Sequence, residues 1–282
     1  ETRKQSEALE TELKRRGVDA RVFIAMRYWS PYAKDTVREV EAYAPDHTVL
    51  LPLYPQFSTT TTASSLKSWR DAGGPPASTV CCFPTEPAFA AAHVKTILDT
   101  WEKGGRPDNV RVLFSAHGLP EKVVLDGDPY QHQVEGTVAA VSRELPREWE
   151  FETCYQSRVG PLKWIGPATD ESIRRAAEDG KAILVAPIAF VSEHIETLVE
   201  LDHEYGLLAK AAGAKTYLRA PALGVEPGFL AALANLVEAA IPSPAGSVRS
   251  HCGHRICPAK WSGCPNHTPA PEGVALQETS PA

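Results

Sequence analysis

A chain of 282 residues, 43% hydrophobic and 23% charged, has the length of one large domain or two ordinary ones and the composition of a soluble globular protein. Its net charge of −6 lacks the basic excess that general nucleic-acid binders gather, so nucleic acid is excluded as a partner. No stretch approaches the roughly 20 apolar residues of a membrane helix, and Glu1-Thr2-Arg3-Lys4 carries no export signature, so the expected location is cytoplasmic.

The pattern from residue 1 to about 240 alternates helix and strand. Glu1 to Gly17 is a charged amphipathic helix with Leu9 and Leu13 at i, i+4 spacing. The sequence opens inside this pattern without an initiator Met, and a further N-terminal segment is expected to precede it. Ala20–Met26 is predicted as a buried strand, and a helix starting at Pro31 runs to about Tyr43. Thr48–Leu53 is a strand, Thr61–Trp69 a helix and Ser78–Phe83 a strand. Pro87–Trp101 is helical and Asn109–Ser115 extended; Asp128-Pro129 then supplies an N-cap and first-turn proline for a helix to about Arg143.

Trp149–Tyr155 is a strand, and Asp170–Glu178 lies in a helix closed by Gly180. Lys181–Phe190 is a nearly continuous apolar strand, followed by a helix through about Ala211. Thr216–Arg219 and Pro227–Ala239 complete the series as strand and helix. Strands alternating with helices of this length mean an α/β fold with parallel sheets covered on both faces. From Pro242 the composition turns to Pro, Gly, Ser and Cys, and the segment is expected to be coil unless something pins it.

Ligands of doubly wound sheets sit beyond the carboxyl ends of the strands, so the residues just after each strand carry the functional reading. No GxGxxG and no P-loop follows any strand, which argues against dinucleotide and ATP chemistry. One strand ends in Ser115-Ala116-His117-Gly118-Leu119-Pro120, where His117 is placed to act as a base and Gly118 lets the backbone turn away. Another runs through Pro187–Glu196 into a helix on which Glu196, Glu200 and Glu204 recur at i, i+4, i+8, a row of hard oxygen donors that could pass a divalent metal. A solvated acidic face is the plainer reading of that row. Tyr28, Trp29, Trp164 and Phe190 fall at strand exits, where aromatics can stack on a flat apolar ligand or simply pack the loops.

Taken in order, Leu113–Pro120, Gly127-Asp128-Pro129-Tyr130, Tyr155-Gln156-Ser157-Arg158-Val159-Gly160-Pro161 and Pro187–Asp202, together with Tyr54-Pro55-Gln56-Phe57-Ser58, resemble the ferrochelatase family. The resemblance implies two Rossmann-like lobes of parallel four-stranded type flanked by helices, with a porphyrin cleft between them and the family's first strand ahead of residue 1. It divides the chain into a first lobe 1–84, a second lobe 85–224, a helix 225–241 packing back on the first lobe, and a tail 242–282. It also implies insertion of ferrous iron into protoporphyrin IX, with His117 taking the pyrrole protons and Glu196 facing it across the cleft. His194 is matched to the catalytic positions, and Arg27, Tyr28, Ser157, Trp164, Phe190 and Ser192 to porphyrin-binding ones. His117, Glu196, Glu200 and Glu204 are matched to a metal or proton path. Coproporphyrin or cobalt chelation, and porphyrin or haem binding without turnover, remain the alternatives. Poor porphyrin solubility makes contact with the periphery of the inner membrane plausible, although no lipid-directed helix is found; the oligomeric state is not legible.

Cys252, Cys257 and Cys264 crowd into the tail, and three thiols in a coil read most simply as metal ligands. Some ferrochelatases carry a [2Fe–2S] cluster held by three tail cysteines and one from the body. The body position that aligns with that ligand is Thr59, leaving Cys154 and Cys81 as candidates for the fourth thiolate. The alternatives are a zinc site completed by His251 and His254, or free thiols.

Overall fold

The alternation of apolar runs and amphipathic stretches resolves, in the computed structural model, into two all-parallel sheets flanked by helices. Residues 1–158 and 160–273 are described; Val159 and residues 274–282, the last stretch of the expected tail, lie outside them. The first half of the chain holds α1 (Thr2–Arg15), α2 (Ala33–Tyr43), β1 (Val49–Leu50), α3 (Thr62–Asp71), β2 (Ser78–Cys82), α4 (Pro87–Lys103), β3 (Val110–His117), α5 (Glu121–Leu125) and α6 (Tyr130–Ser142). The second half holds β4 (Glu150–Gln156), α7 (Thr169–Glu178), β5 (Ala182–Pro187), a π-helical segment Glu196–Glu204, α8 (Tyr205–Ala211), β6 (Tyr217–Arg219), α9 (Pro227–Ala240) and β7 (Val248–Ser250).

These elements form two units. The first takes Glu1–Phe89, Gly127–Gln133 and the chain from Val225 onward. Its three-stranded sheet has the order β1-β2-β7, and every residue of β2 is buried. Val37 and Val40 of α2 pack with Trp69 of α3, while Phe83, Phe89 and Phe229 form a chain of ring contacts leading to α9. Arg16, just past α1, ties that helix to α9 through Asn235 and Glu238, each at 2.8 Å.

Three expectations change in this unit. Among the described residues Ala20–Met26 pairs with no strand: the Val22 N–H donates to Glu10 and the Ile24 carbonyl accepts from Thr36, so side chains satisfy polar groups a sheet neighbour would have taken. β1 is two residues long, because Pro52 and Pro55 have no N–H to extend a ladder. The tail is not all coil, since Val248–Ser250 pairs in parallel with β2 from Thr79 to Cys82. Further along, the Arg255 N–H donates to the Thr268 carbonyl, its guanidinium to the carbonyls of Cys257 and Trp261, and Trp261 stacks on His132.

The second unit takes Ala90–Asp126 and Val134–Gly224. Its four-stranded sheet has the order β4-β3-β5-β6. β3 pairs with β4 from Arg111↔Glu150 to His117↔Gln156, and with β5 from Val110↔Ala182 to Ser115↔Pro187. Side chains alternate across the sheet. Leu113, Ile183 and Val185 meet Ile173 and Ala176 of α7, Ala209 of α8 and Leu201 of the π-helical segment. Phe114 points the other way and stacks with Phe151. The expected helix after β5 therefore exists, but its first two turns are π-helical, with i→i+5 bonding that widens the turn. Among the described residues no helix is long and apolar enough to cross a membrane.

One buried histidine makes this fold sensitive to acid. Burial pushes the His93 imidazole down to about 3. Between that value and the ordinary histidine range the unfolded chain holds a proton that the folded chain lacks, so stability falls as pH drops below about 6.5. The unfolding free energy should decline by about 1.4 kcal/mol per pH unit from this residue alone. Urea titrations at pH 7, 6 and 5 should show a shallower decline in His93→Gln; an unchanged slope would discount the residue.

Candidate active site

The register of the second sheet brings the site together. β3 ends at His117, directly opposite Gln156 at the end of β4, and Ser157 follows. The next turn needs a glycine at 118: its N–H bonds the Gln156 carbonyl at 2.8 Å, and a Cβ there would lie 3.0 Å from that oxygen and 3.2 Å from the Trp164 ring. β5 delivers the chain through Phe190 and Ser192, both partly exposed, to the π-helical segment.

His117 and Glu196 meet directly, with Nδ1 of the ring 2.8 Å from the carboxylate Oε2. This corrects the expected arrangement. Both residues belong to the second unit and touch, with no space for a macrocycle between them, because β3 and β5 are sheet neighbours and the π-helical segment starts beside the end of β3. Both side chains keep partial exposure, 41% for His117 and 35% for Glu196, so the pair is open on one side. The hydrogen bond from His117 holds the Glu196 carboxyl below the usual carboxylate range, against burial that would raise it.

Ser157 links this pair to the next carboxylate. Its hydroxyl lies 3.3 Å from Glu196 Oε2 and 2.6 Å from Glu200 Oε2, and its N–H donates to Glu200 Oε1 at 2.9 Å. It does so from the left-handed region, at φ +59°, a conformation that costs a non-glycine residue energy and marks functional turns. Gln156 Nε2 donates to the Glu196 carbonyl and to Glu200 Oε2, while its Oε1 accepts from Ser115. Tyr205 completes the set by donating to Glu200 Oε1 at 2.9 Å. Beyond Glu200 lies a cavity of about 590 Å³ whose wall includes Ser157, Asp170, Glu200, Glu204 and Tyr205.

His117, Glu196, Glu200 and Glu204, expected along a metal or proton path, follow one another from the end of β3 to the cavity wall. Glu196 and Glu200 are engaged by His117, Ser157, Gln156 and Tyr205, and Glu204 is exposed on the cavity wall. His194 accepts from the Glu196 N–H at 3.1 Å through Nδ1, and its ring packs edge-on against Phe190. Burial, foremost, lowers its pKa. Phe190 also meets the His117 ring edge-on at 6.3 Å. Trp164 reaches the same turn through a bridge to Pro120, and its buried indole N–H has no partner among the described residues. Arg27 and Tyr28 lie in the first unit, where Arg27 covers the exposed Tyr28 ring and donates to Ser64. Gln156 was legible as a strand exit, whereas Tyr205 carries no local signal.

The expected cluster ligands come together only in part: the Cys257 and Cys264 thiols are hydrogen-bonded to each other near Cys81 and Cys82, which lie 3.3 Å apart sulfur to sulfur. Cys257 is buried in the first unit, where Gln133 Nε2 donates to its sulfur at 3.1 Å and to Cys82 Sγ at 3.5 Å. Cys264 is buried in the same unit, but Cys252 is exposed. Cys154 sits in β4 of the second unit with its thiol on the Phe114 carbonyl, and burial pushes its pKa up to about 12, the opposite of what a thiolate ligand needs. Among the described residues no three His, Cys, Asp or Glu side chains form a group able to hold an ion. Cys257 and Cys264 are thus placed together, whereas Cys252 is exposed and Cys154 belongs to the other unit, so the described residues present no assembled set of four ligands for a [2Fe–2S] cluster or for zinc.

A family model described as Ferrochelatase matches residues 1–241. The ferrochelatase of Caulobacter vibrioides (strain NA1000 / CB15N) is 58% identical over 269 residues, covering 94% of this chain and 77% of that protein. The ferrochelatase of Hyphomonas neptunium is 52% identical over 283 residues, covering 99% of this chain and 79% of its own length. Among solved structures, SirB from Bacillus subtilis with Fe3+ superposes with a TM-score of 0.58 at 16% identity, covering 86% of this chain and 90% of that one. CbiX, described as the terminal enzyme for siroheme biosynthesis in denitrifying bacteria, gives a TM-score of 0.53 at 20% identity, covering 85% and 94%. At such identities these two likenesses speak to the fold alone.

Proposed function

The chain belongs to the ferrochelatase family, and on that premise we propose that it inserts ferrous iron into protoporphyrin IX, with His117 as the base and Glu196 as its partner. The observation that carries this reading is the 2.8 Å contact between the His117 ring and the Glu196 carboxylate at the open end of the parallel sheet. Insertion exchanges two pyrrole N–H protons for one Fe2+, so the site must accept protons and pass them on. With Nδ1 donating to an ionised Glu196, the lone pair of His117 lies on Nε2, which is the nitrogen that takes the proton. The carboxylate then stabilises the imidazolium, as the acid of a Ser-His-Asp triad does.

A route away from the base follows the hydrogen bonds: Glu196 to the Ser157 hydroxyl, then Glu200, then the cavity where Glu204 and Asp170 face solvent. His194 stays neutral at pH 7 and orients Glu196 through the backbone. Phe190 and Trp164 supply apolar surface against which a macrocycle can be bent. Strain of about 1–5 kcal/mol is the usual scale for such distortion. That is worth a few decades of rate at about 1.4 kcal/mol each, so base catalysis has to add to it.

An anaerobic assay tests the proposal. Fe2+ or Co2+ is offered with protoporphyrin or coproporphyrin while the visible spectrum is followed. Metallation of protoporphyrin by Fe2+ is the expected result. Faster turnover of coproporphyrin would move the substrate, and tight porphyrin binding without metallation by any pair would replace the enzyme by a carrier.

A further inference from the structure

The π-helical segment that presents Glu196 is an unfavourable thing to build. Single π turns are the rule, and here the widened winding runs over nine residues. The stretch 193–204 also carries five carboxylates, Glu193, Glu196, Glu200, Asp202 and Glu204, which repel one another. Something outside the segment must hold it, and two side chains of β6 do so.

Tyr217 and Arg219 stand two apart on β6 and therefore on one face of the strand. The Tyr217 hydroxyl donates to the Leu201 carbonyl at 2.5 Å. The Arg219 guanidinium makes a fork onto Asp202, Nε to Oδ1 at 2.7 Å and Nη2 to Oδ2 at 2.5 Å, and its Nη1 donates to Glu193 Oε1 at 2.6 Å. Arg219 is itself 9% exposed, so this charge is held in place by its partners rather than by water. Glu193 is fixed at both oxygens, since the Ala222 N–H also donates to Oε1 and the Thr197 hydroxyl to Oε2. β6 in turn is bonded to β5, with Val185 opposite Arg219, so the tie reaches the sheet that carries His117.

We propose that Arg219 is a positioning residue for Glu196: by tying Glu193, three residues before it, to Asp202, six residues after it, it fixes the wide turn that sets the Glu196 carboxylate on His117. The role needs the planar fork. A lysine carries the charge but cannot bond Asp202 with two parallel N–H groups and Glu193 with a third. Misplacement of a catalytic group by about 1 Å is worth roughly 100-fold in rate. The inference rests on the proposed function for its kinetic consequence only.

Arg219→Gln, Arg219→Lys and Asp202→Asn are compared with the wild-type chain by steady-state kinetics and by amide hydrogen exchange. In Arg219→Gln, kcat should fall roughly 10- to 100-fold with KM for porphyrin held within about twofold, and amides 196–204 should exchange faster while those of β3 do not. Arg219→Lys should fail to restore kcat. Asp202→Asn, which loses only the exposed half of the tie, should show the same pattern more weakly and serves if Arg219→Gln does not fold. Unchanged kcat with unchanged exchange, full rescue by lysine, or a uniform rise of exchange across both sheets would each overturn the assignment. If the wild-type chain itself metallates nothing, the functional reading falls, and the exchange data alone still decide whether Arg219 holds the segment.

Discussion

Replacing His117 by alanine is expected to cut iron insertion by about 10²–10⁴-fold, the usual contribution of a positioned base, while porphyrin binding survives. Glu196→Ala should lose a similar factor. Because the two groups share a 2.8 Å hydrogen bond, they act as one unit. The double variant should therefore be little worse than the poorer single one, rather than losing the product of both factors. Single-turnover metallation, with porphyrin binding followed by fluorescence quenching, separates the two effects. Undiminished turnover in His117→Ala would remove the base, and multiplicative losses would mean that the pair does not work together.

The second large effect is on stability. Phe114 is fully buried at the centre of β3, stacked on Phe151, three residues before the histidine. Phe114→Ala should cost about 3–5 kcal/mol, from lost burial plus the cavity left between strand and flanking helices. That is a large share of the about 5–15 kcal/mol by which ordinary domains are stable. Leu125→Ala is the control: with that side chain 82% exposed, its loss should shift stability by no more than about 0.5 kcal/mol. Chemical denaturation of both proteins checks the contrast, and a cost for Phe114→Ala below about 1 kcal/mol would mean that the site has collapsed around the deletion.

What could be read from the sequence follows from range. β3 and β5 were legible because a central parallel strand is apolar on both faces and writes a continuous run. The strand exits gave His117, Gln156 and Glu196 as the residues to watch. Their contact was not legible, since it depends on which strands are neighbours and on where a helix is placed laterally. The row Glu196, Glu200, Glu204 was read with 3.6 residues per turn, and the wider π winding gives each carboxylate different surroundings: His117, then Ser157 and Tyr205, then open cavity. Ala20–Met26 misled for a related reason. A β-branched, apolar run says that a segment is extended and packed, and says nothing about whether a partner strand lies alongside.

The position of β7 separates two kinds of boundary. The family model ends at residue 241, yet the outermost strand of the first sheet is built from Val248–Ser250, beyond that limit and inside the stretch that the Hyphomonas neptunium relative still matches. Trimming this polypeptide to the span of that model would strip a ladder from β2 and leave a row of amides and carbonyls open to other chains. Where a family model ends is thus no guide to where this protein can be cut.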